Sequence, residues 1–459
     1  MKYLVLLFLL FSCSSNKNQI TQNDSESSST SVQLNVKKLT LDNGLRVLIV
    51  ENKRLPVFSY YTFYDVGGRH ERKGITGASH FLEHLMFKGA KKYGPGEFDK
   101  IIENNGGSNN AYTTFDSTVY YEDLPSAALE KVIDLEADRM VNLALEPTGF
   151  EKEKQVVLEE RKMRYENSPH GKLYQKMMKA VFRKTPYGGS VIGEPEDIKN
   201  LDRDAVFEYF KKFYAPNNAV VVIVGDVDSD DTFDLIKKYY GPLKRSEKVA
   251  ETKKEMDDPE IYKHQGQYRN WYKIHGESPS PIFMMAYKGK KLGDRASYVM
   301  DILSSVLGDG ASSYLYQRYV KSKSPSLNNI YAANYNLKYN GVFFISGELL
   351  KRTNLNRFKD NIHREMRKVC KNAITERNLQ KIKNQYLIQF YKGLQTNAGI
   401  AQFIGSYENY FGDYSKYKDE VDIYNSITLE ELMDTCHSMF KSGEYIFVTI
   451  WDKHPKRKG

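Results

Sequence analysis

His80, Glu83 and His84 stand in the run His80-Phe81-Leu82-Glu83-His84, and their types and spacing are suited to chemistry. On a helix, residues four apart stack one turn above the other, so the two imidazoles face one point with Glu83 beside them. Two neutral imidazole nitrogens and a carboxylate suit Zn²⁺, and a catalytic site keeps a fourth position open for water. Bound zinc lowers the pKa of that water towards neutrality, and a carboxylate within hydrogen-bond reach takes its proton. The order His-x-x-Glu-His reverses the commoner metalloprotease run. The plain alternative is two unrelated histidines on a helix.

The motif needs a helix, and residues 78–87 have helical spacing. Before it, Asn43-Gly44 turns the chain into a strand over 46–50, and a second β-run over 58–66 ends at Gly67-Gly68. A helix is predicted over 97–104, a single Thr- and Tyr-rich strand over 110–121, helices over about 126–143, 148–165 and 204–214, and a fully buried strand over 218–224. From Pro242 to Ser278 the composition turns charged and polar, as in a linker between packed halves. A similar order follows: a strand at 282–287, helices at 296–307 and 312–321, a strand at 341–347, long helices at about 354–370 and 375–394, and a last strand at 445–451. The chain therefore reads as two copies of one α+β unit, each a mainly antiparallel sheet packed with helices, over 37–245 and 279–455 with a linker at 246–278.

Composition agrees with a folded protein: 41% hydrophobic and 27% charged residues exclude collagen-like, disulfide-scaffold and wholly disordered chains. A net charge of +9 over this length, with both signs scattered, does not call for nucleic acid. Met1-Lys2, the apolar run from Tyr3 to Phe11 and Ser12-Cys13-Ser14-Ser15 have the parts of a secretory signal. Leu10-Phe11-Ser12-Cys13 resembles a bacterial lipobox, implying a signal over 1–12, a lipidated Cys13 and a polar tether to residue 36; the alternative is a plain signal with an incidental cysteine. The expected location is the bacterial cell envelope, with the membrane reached through a lipid anchor only. Pairing of the other two cysteines, Cys370 and Cys436, is left open.

Residues 37–455 resemble the pitrilysin group of metallopeptidases, and within it the bacterial members similar to the mitochondrial processing peptidase. The stretches Gly77-Ala-Ser-His-Phe-Leu-Glu-His-Leu-Met-Phe-Lys-Gly89, Gly106-Gly-Ser-Asn-Asn-Ala-Tyr-Thr113, Glu153-Lys-Gln-Val-Val-Leu-Glu-Glu160 and Pro216-Asn-Asn-Ala-Val-Val-Val-Ile-Val-Gly225 carry the resemblance. It implies a third zinc ligand 76 residues beyond His84, at Glu160, with Glu83 as general base and Glu153 supporting the site. Glu159 is the adjacent competitor for the ligand role. Asn110 and Ala111 match the strand that pairs with substrate backbone, and the fold implied is half of a clam-like chamber for short or unfolded peptides. Active members also use an Arg and a Tyr seven apart in the second domain type; the matching positions here hold Val320 and Leu327. The resemblance thus implies the metal-bearing subunit of a heterodimer whose homologous partner supplies Arg and Tyr. A zinc metalloendopeptidase is the main expectation; a non-catalytic scaffold or assembly subunit, and a peptide-binding module with structural zinc, are the alternatives.

Overall fold

The computed structural model describes residues 33–451, apart from 265, 267, 269, 275 and 277. The expected signal, Cys13 and most of the tether lie outside the described residues.

Two sheets organise the chain. The first contains β1 (Val36–Thr40), β2 (Arg46–Glu51), β3 (Val57–Tyr64), β4 (Ser108–Thr113), β5 (Thr118–Pro125) and β6 (Ala219–Gly225), in the order β1-β2-β6-β3-β5-β4. The second contains β7 (Trp271–Ile274), β8 (Ile282–Lys288), β9 (Leu327–Asn336), β10 (Gly341–Leu349) and β11 (Ile446–Ile450), in the order β7-β11-β8-β10-β9. In each, one parallel pair (β2 with β6, β7 with β11) joins an otherwise antiparallel ladder. Strands β2, β6, β3, β5 and β4 therefore correspond in position and direction to β7, β11, β8, β10 and β9. The internal repeat expected from the order of elements is present in the topology.

Alternate residues of the central strands bury into different cores, as a two-residue period requires. In β6, Ala219, Val221 and Ile223 pack with the helices beside the metal motif, whereas Val220, Val222 and Val224 face the opposite side. That opposite side is closed by the Asn397–Phe411 helix, whose Ile400, Ala401 and Ile404 come from the second half of the chain. Approach is close: a Cβ at Gly405 would stand 2.1 Å from the Phe63 ring. Reciprocally, the Pro169–Phe182 helix of the first half lays Leu173, Met177 and Val181 over Met284, Val342 and Val448 of the second sheet. Each half covers one face of the other's sheet.

Three sequence expectations change. The strand expected over 110–121 is a hairpin, β4 and β5, because Thr114 donates its N–H to Ser117 O at 2.8 Å and turns the chain. The stretch 246–278 is not a bare linker: it holds a helix over Lys248–Met256, a short 3-10 turn over Pro259–Tyr262, and β7 of the second sheet. It also supplies Asp257 to the buried Arg69, which pairs with Asp116 at 3.1 Å on its own side. Finally, the long helix expected over 354–370 is two, Leu355–Met366 and Val369–Ala373. Cys370 on the second is bonded to Cys436, with Cα atoms 5.7 Å apart, which settles the pairing left open by the sequence.

Candidate metal centre

The metal motif lies on the helix Ala78–Leu85, as its spacing predicts. Gly77 precedes it with φ 89°, a left-handed conformation that glycine adopts without strain, and a Cβ there would stand 2.2 Å from Ile192 O. Gly77 has no side chain to cap the helix. Glu71 does so instead, accepting from the N–H of Gly77 at 2.6 Å and of Ser79 at 2.8 Å. Burial raises the Glu71 carboxyl to about 8 despite those bonds.

Opposite stands the helix Pro147–Arg161, which brings Glu153 and Glu160, two turns apart, to the same face. The Glu160 Oε2 atom is 3.2 Å from His84 Nε2 and 3.6 Å from His80 Nε2. One donor atom from each of His80, His84 and Glu160 lies within 4.8 Å of the others. A tetrahedral ion with bonds of about 2.0–2.1 Å separates its donors by about 3.3 Å, so the two measured spacings bracket a zinc coordination edge. The donor set, two imidazole nitrogens and a carboxylate oxygen, fits that ion. Glu159 points elsewhere; its side chain is 69% exposed and pairs with Lys162.

Glu153 is buried and accepts at Oε1 from His84 Nδ1 at 2.9 Å, while Lys88 Nζ holds its Oε2 at 2.9 Å. A carboxylate on the outer nitrogen fixes the imidazole's orientation and leaves Nε2 free to face a metal. His80 Nδ1 is buried with no hydrogen-bond partner among the described residues. Burial and the neighbouring His84 lower the His80 pKa to about 3, keeping it neutral and able to ligate. Burial opposes charge on His84 as well, but the Glu153 and Glu160 hydrogen bonds outweigh it and raise His84 to about 9. For Glu160, the same histidines and Arg164 outweigh burial and lower the carboxyl to about 2.

Glu83, on the helix between the two histidines, accepts a hydrogen bond from Thr113 Oγ1 at the end of β4. Burial raises its carboxyl above the usual range. Asn110 and Ala111 lie earlier on β4, which is the edge strand of the first sheet beyond β5. Asn110 Oδ1 accepts from the Ala111 N–H at 2.9 Å. The structure thus brings His80, Glu83, His84, Glu153 and Glu160 together from two helices, with Asn110 and Ala111 on the edge strand whose end, Thr113, reaches Glu83. It also adds Thr113, Lys88, Arg164 and Glu71. Arg164, whose Nη2 is 2.7 Å from Glu160 Oε1, is four residues beyond that acid, a spacing readable from sequence. The other three meet the site through tertiary folding. Immediately after Glu160 the helix widens into a π turn over Lys162–Glu166, an irregularity frequent beside functional sites.

The sheet topology and the donor cluster both have counterparts among known proteins. Residues 46–195 match the family profile described as Insulinase (Peptidase family M16), and residues 200–386 the profile described as Peptidase M16 inactive domain. A zinc protease, PqqE, of Helicobacter pylori is 33% identical over 383 residues, covering 80% of this chain and 82% of its own. Mitochondrial-processing peptidase subunit beta of Blastocladiella emersonii is 33% identical over 206 residues, 44% of each chain. The crystal structure of a protease from Helicobacter pylori matches with a TM-score of 0.83 at 30% identity, over 92% of this chain and 100% of that one. The chain belongs to peptidase family M16.

Proposed function

We propose that this chain is a zinc-dependent metalloendopeptidase of the bacterial cell envelope that hydrolyses short or unfolded peptides. The spacing of the His80, His84 and Glu160 donor atoms around one point, with Glu83 on the same helix, carries the reading. His80, His84 and Glu160 would hold the zinc, which would supply an acidified water and a Lewis acid for the scissile carbonyl. Glu83, its carboxylate held in place by the Thr113 hydroxyl, would be the group that accepts a proton from the attacking water and returns it to the leaving amine. Glu153 keeps the His84 ring aligned. The open edge of β4 at Asn110 and Ala111 pairs with an extended substrate through main-chain hydrogen bonds, a mode indifferent to most side chains.

The chain acts as the metal-bearing member of a pair. Val320 ends a helix and Leu327 is buried at the start of β9, so neither position that the family resemblance assigns to Arg and Tyr offers a polar group. A homologous partner supplies them. The signal-like N-terminus with Cys13, and the Cys370–Cys436 disulfide, which persists in oxidising compartments, support the envelope location.

Zinc content and cleavage of a quenched unfolded peptide test the proposal, with wild type and Glu83→Gln each assayed alone and with envelope extract. The expected result is about one zinc per chain in both proteins, and cleavage that depends on Glu83 and rises with extract. Activity of the single chain that no partner changes refutes the paired arrangement alone. The missing Arg and Tyr favour a second reading, a non-catalytic assembly subunit. Bound zinc without cleavage under either condition, and an unchanged phenotype for Glu83→Gln, would establish that reading instead.

A further inference from the structure

The Pro147–Arg161 helix sends two acids to the metal centre, and each divides its oxygens in the same way. Glu153 turns Oε1 to His84 Nδ1 and Oε2 to Lys88 Nζ, both at 2.9 Å. Glu160 turns Oε2 to the two donor nitrogens, 3.2 Å from His84 Nε2 and 3.6 Å from His80 Nε2, and Oε1 to Arg164 Nη2 at 2.7 Å. The other cations nearby are engaged elsewhere. Arg161 points inward, donating from Nε to Gly193 O at 2.7 Å and pairing with Glu166, and Lys162 pairs with Glu159. Arg164, on the π turn, has Glu160 as its one acidic partner among the described residues. A carboxylate with both oxygens free can bind a metal ion through one of them or through both. The second mode takes up room at the ion that a catalytic site leaves for water. A guanidinium charge against Oε1 favours the first mode, because it attracts the oxygen that the second would turn to the ion and repels an ion brought towards it.

We infer that Arg164 is a positioning residue: it holds Glu160 as a one-oxygen ligand and thereby keeps a coordination position open at the centre. The inference rests on the zinc reading proposed above and adds to it how the ion's coordination number is set. Arg164 acts by its charge at one oxygen, so a lysine at that position retains the effect and an uncharged side chain of similar length loses it. Its side chain is 56% exposed, so solvent screens the pair and the cost in zinc affinity is small, about two- to fivefold. The effect falls instead on geometry and on the choice of ion, since a two-oxygen carboxylate suits manganese, which prefers oxygen ligands and octahedral coordination, better than it suits zinc.

Cobalt(II) loaded into the purified chain tests this without substrate, since its visible absorption is strong in a four-coordinate site and weak in a five-coordinate one. Wild type and Arg164→Lys are expected to share the strong spectrum. Arg164→Met is expected to show the weak one, with its preference for zinc over manganese lowered about two- to fivefold in metal competition and its metal-free melting unchanged. A cobalt spectrum in Arg164→Met that matches wild type overturns the inference and leaves the zinc reading standing, as does a weak spectrum already present in wild type. Wild type that takes up neither zinc nor cobalt overturns the zinc reading, and this inference with it.

Discussion

Replacing Glu153 with Gln probes how the metal centre is supported without touching a metal ligand. The carboxylate is 6% exposed, receives His84 Nδ1 at 2.9 Å and is neutralised by Lys88 at 2.9 Å. Gln keeps the volume and one oxygen for His84 but removes the charge that makes the imidazole a better donor. Carboxylates in this position are worth about 10- to 100-fold in metal affinity, about 1.4–2.7 kcal/mol. Lys88, left without its counter-charge, adds a cation beside the cation site, screened in part by solvent because its side chain is 48% exposed. Competition with a fluorescent zinc chelator measures the dissociation constant, and thermal unfolding of the metal-free protein measures the stability of the fold. Glu153→Gln is expected to raise the zinc dissociation constant by about 10- to 100-fold with little change in metal-free melting. Lys88→Met leaves affinity unchanged or tighter, and the double variant recovers part of the loss. A constant within about twofold of wild type in Glu153→Gln, or an equal loss in Lys88→Met, refutes the assignment of Glu153 as the group that orients His84.

Thr113→Val removes the hydroxyl that donates to Glu83; a hydrogen bond to a charged group is worth about 1.5–3 kcal/mol, so peptide cleavage falls about 10- to 100-fold with zinc content unchanged. Cleavage within twofold of wild type would exclude this anchoring. Cys370→Ser/Cys436→Ser opens a cross-link spanning 66 residues, an expected loss of about 4 kcal/mol, read as a lower denaturant midpoint than that of the oxidised wild type. Asp301 is partly buried, and desolvation, only partly offset by Asn334, Tyr424 and Asn336, raises its carboxyl to about 6. The folded state therefore prefers the protonated form: below about 4 the group costs nothing, and the cost grows to about 3 kcal/mol as pH rises through 6. Asp301→Asn should gain stability over wild type above pH 6 and lose the advantage near pH 4; a difference independent of pH would contradict this.

Local periodicity made much of the fold legible. The helix under the His-x-x-Glu-His run, the helix over Glu97–Asn104, the buried β6 and the strand β8 lie close to where their side-chain spacing places them. Strand β9 is not legible because Leu327-Asn-Asn-Ile-Tyr-Ala-Ala-Asn-Tyr-Asn336 is rich in Asn, a turn residue, yet Asn334 and Asn336 both donate to the partly buried Asp301 from within the strand. The three helices between Asn397 and Phe440 also went unread. At the site, resemblance supplied Glu160 and Glu153, whereas nothing local marks Thr113 or Lys88 as partners of Glu83 and Glu153.

The sequence by itself placed two imidazoles and a carboxylate together, because two histidines and a glutamate on one helical turn have their relative positions set by helix geometry alone. It also determined that the chain repeats one α+β unit, since strand and helix periods recur in the same order. The tertiary structure alone decided how the units are joined. An apolar stripe such as Ile400, Ala401 and Ile404 tells that a face is covered, but hydrophobic burial is non-directional and names no partner. Only folding shows that this stripe covers β3 and β6 of the first sheet while Leu173, Met177 and Val181 cover the second, that Cys370 meets Cys436, and that the end of β4 arrives at Glu83.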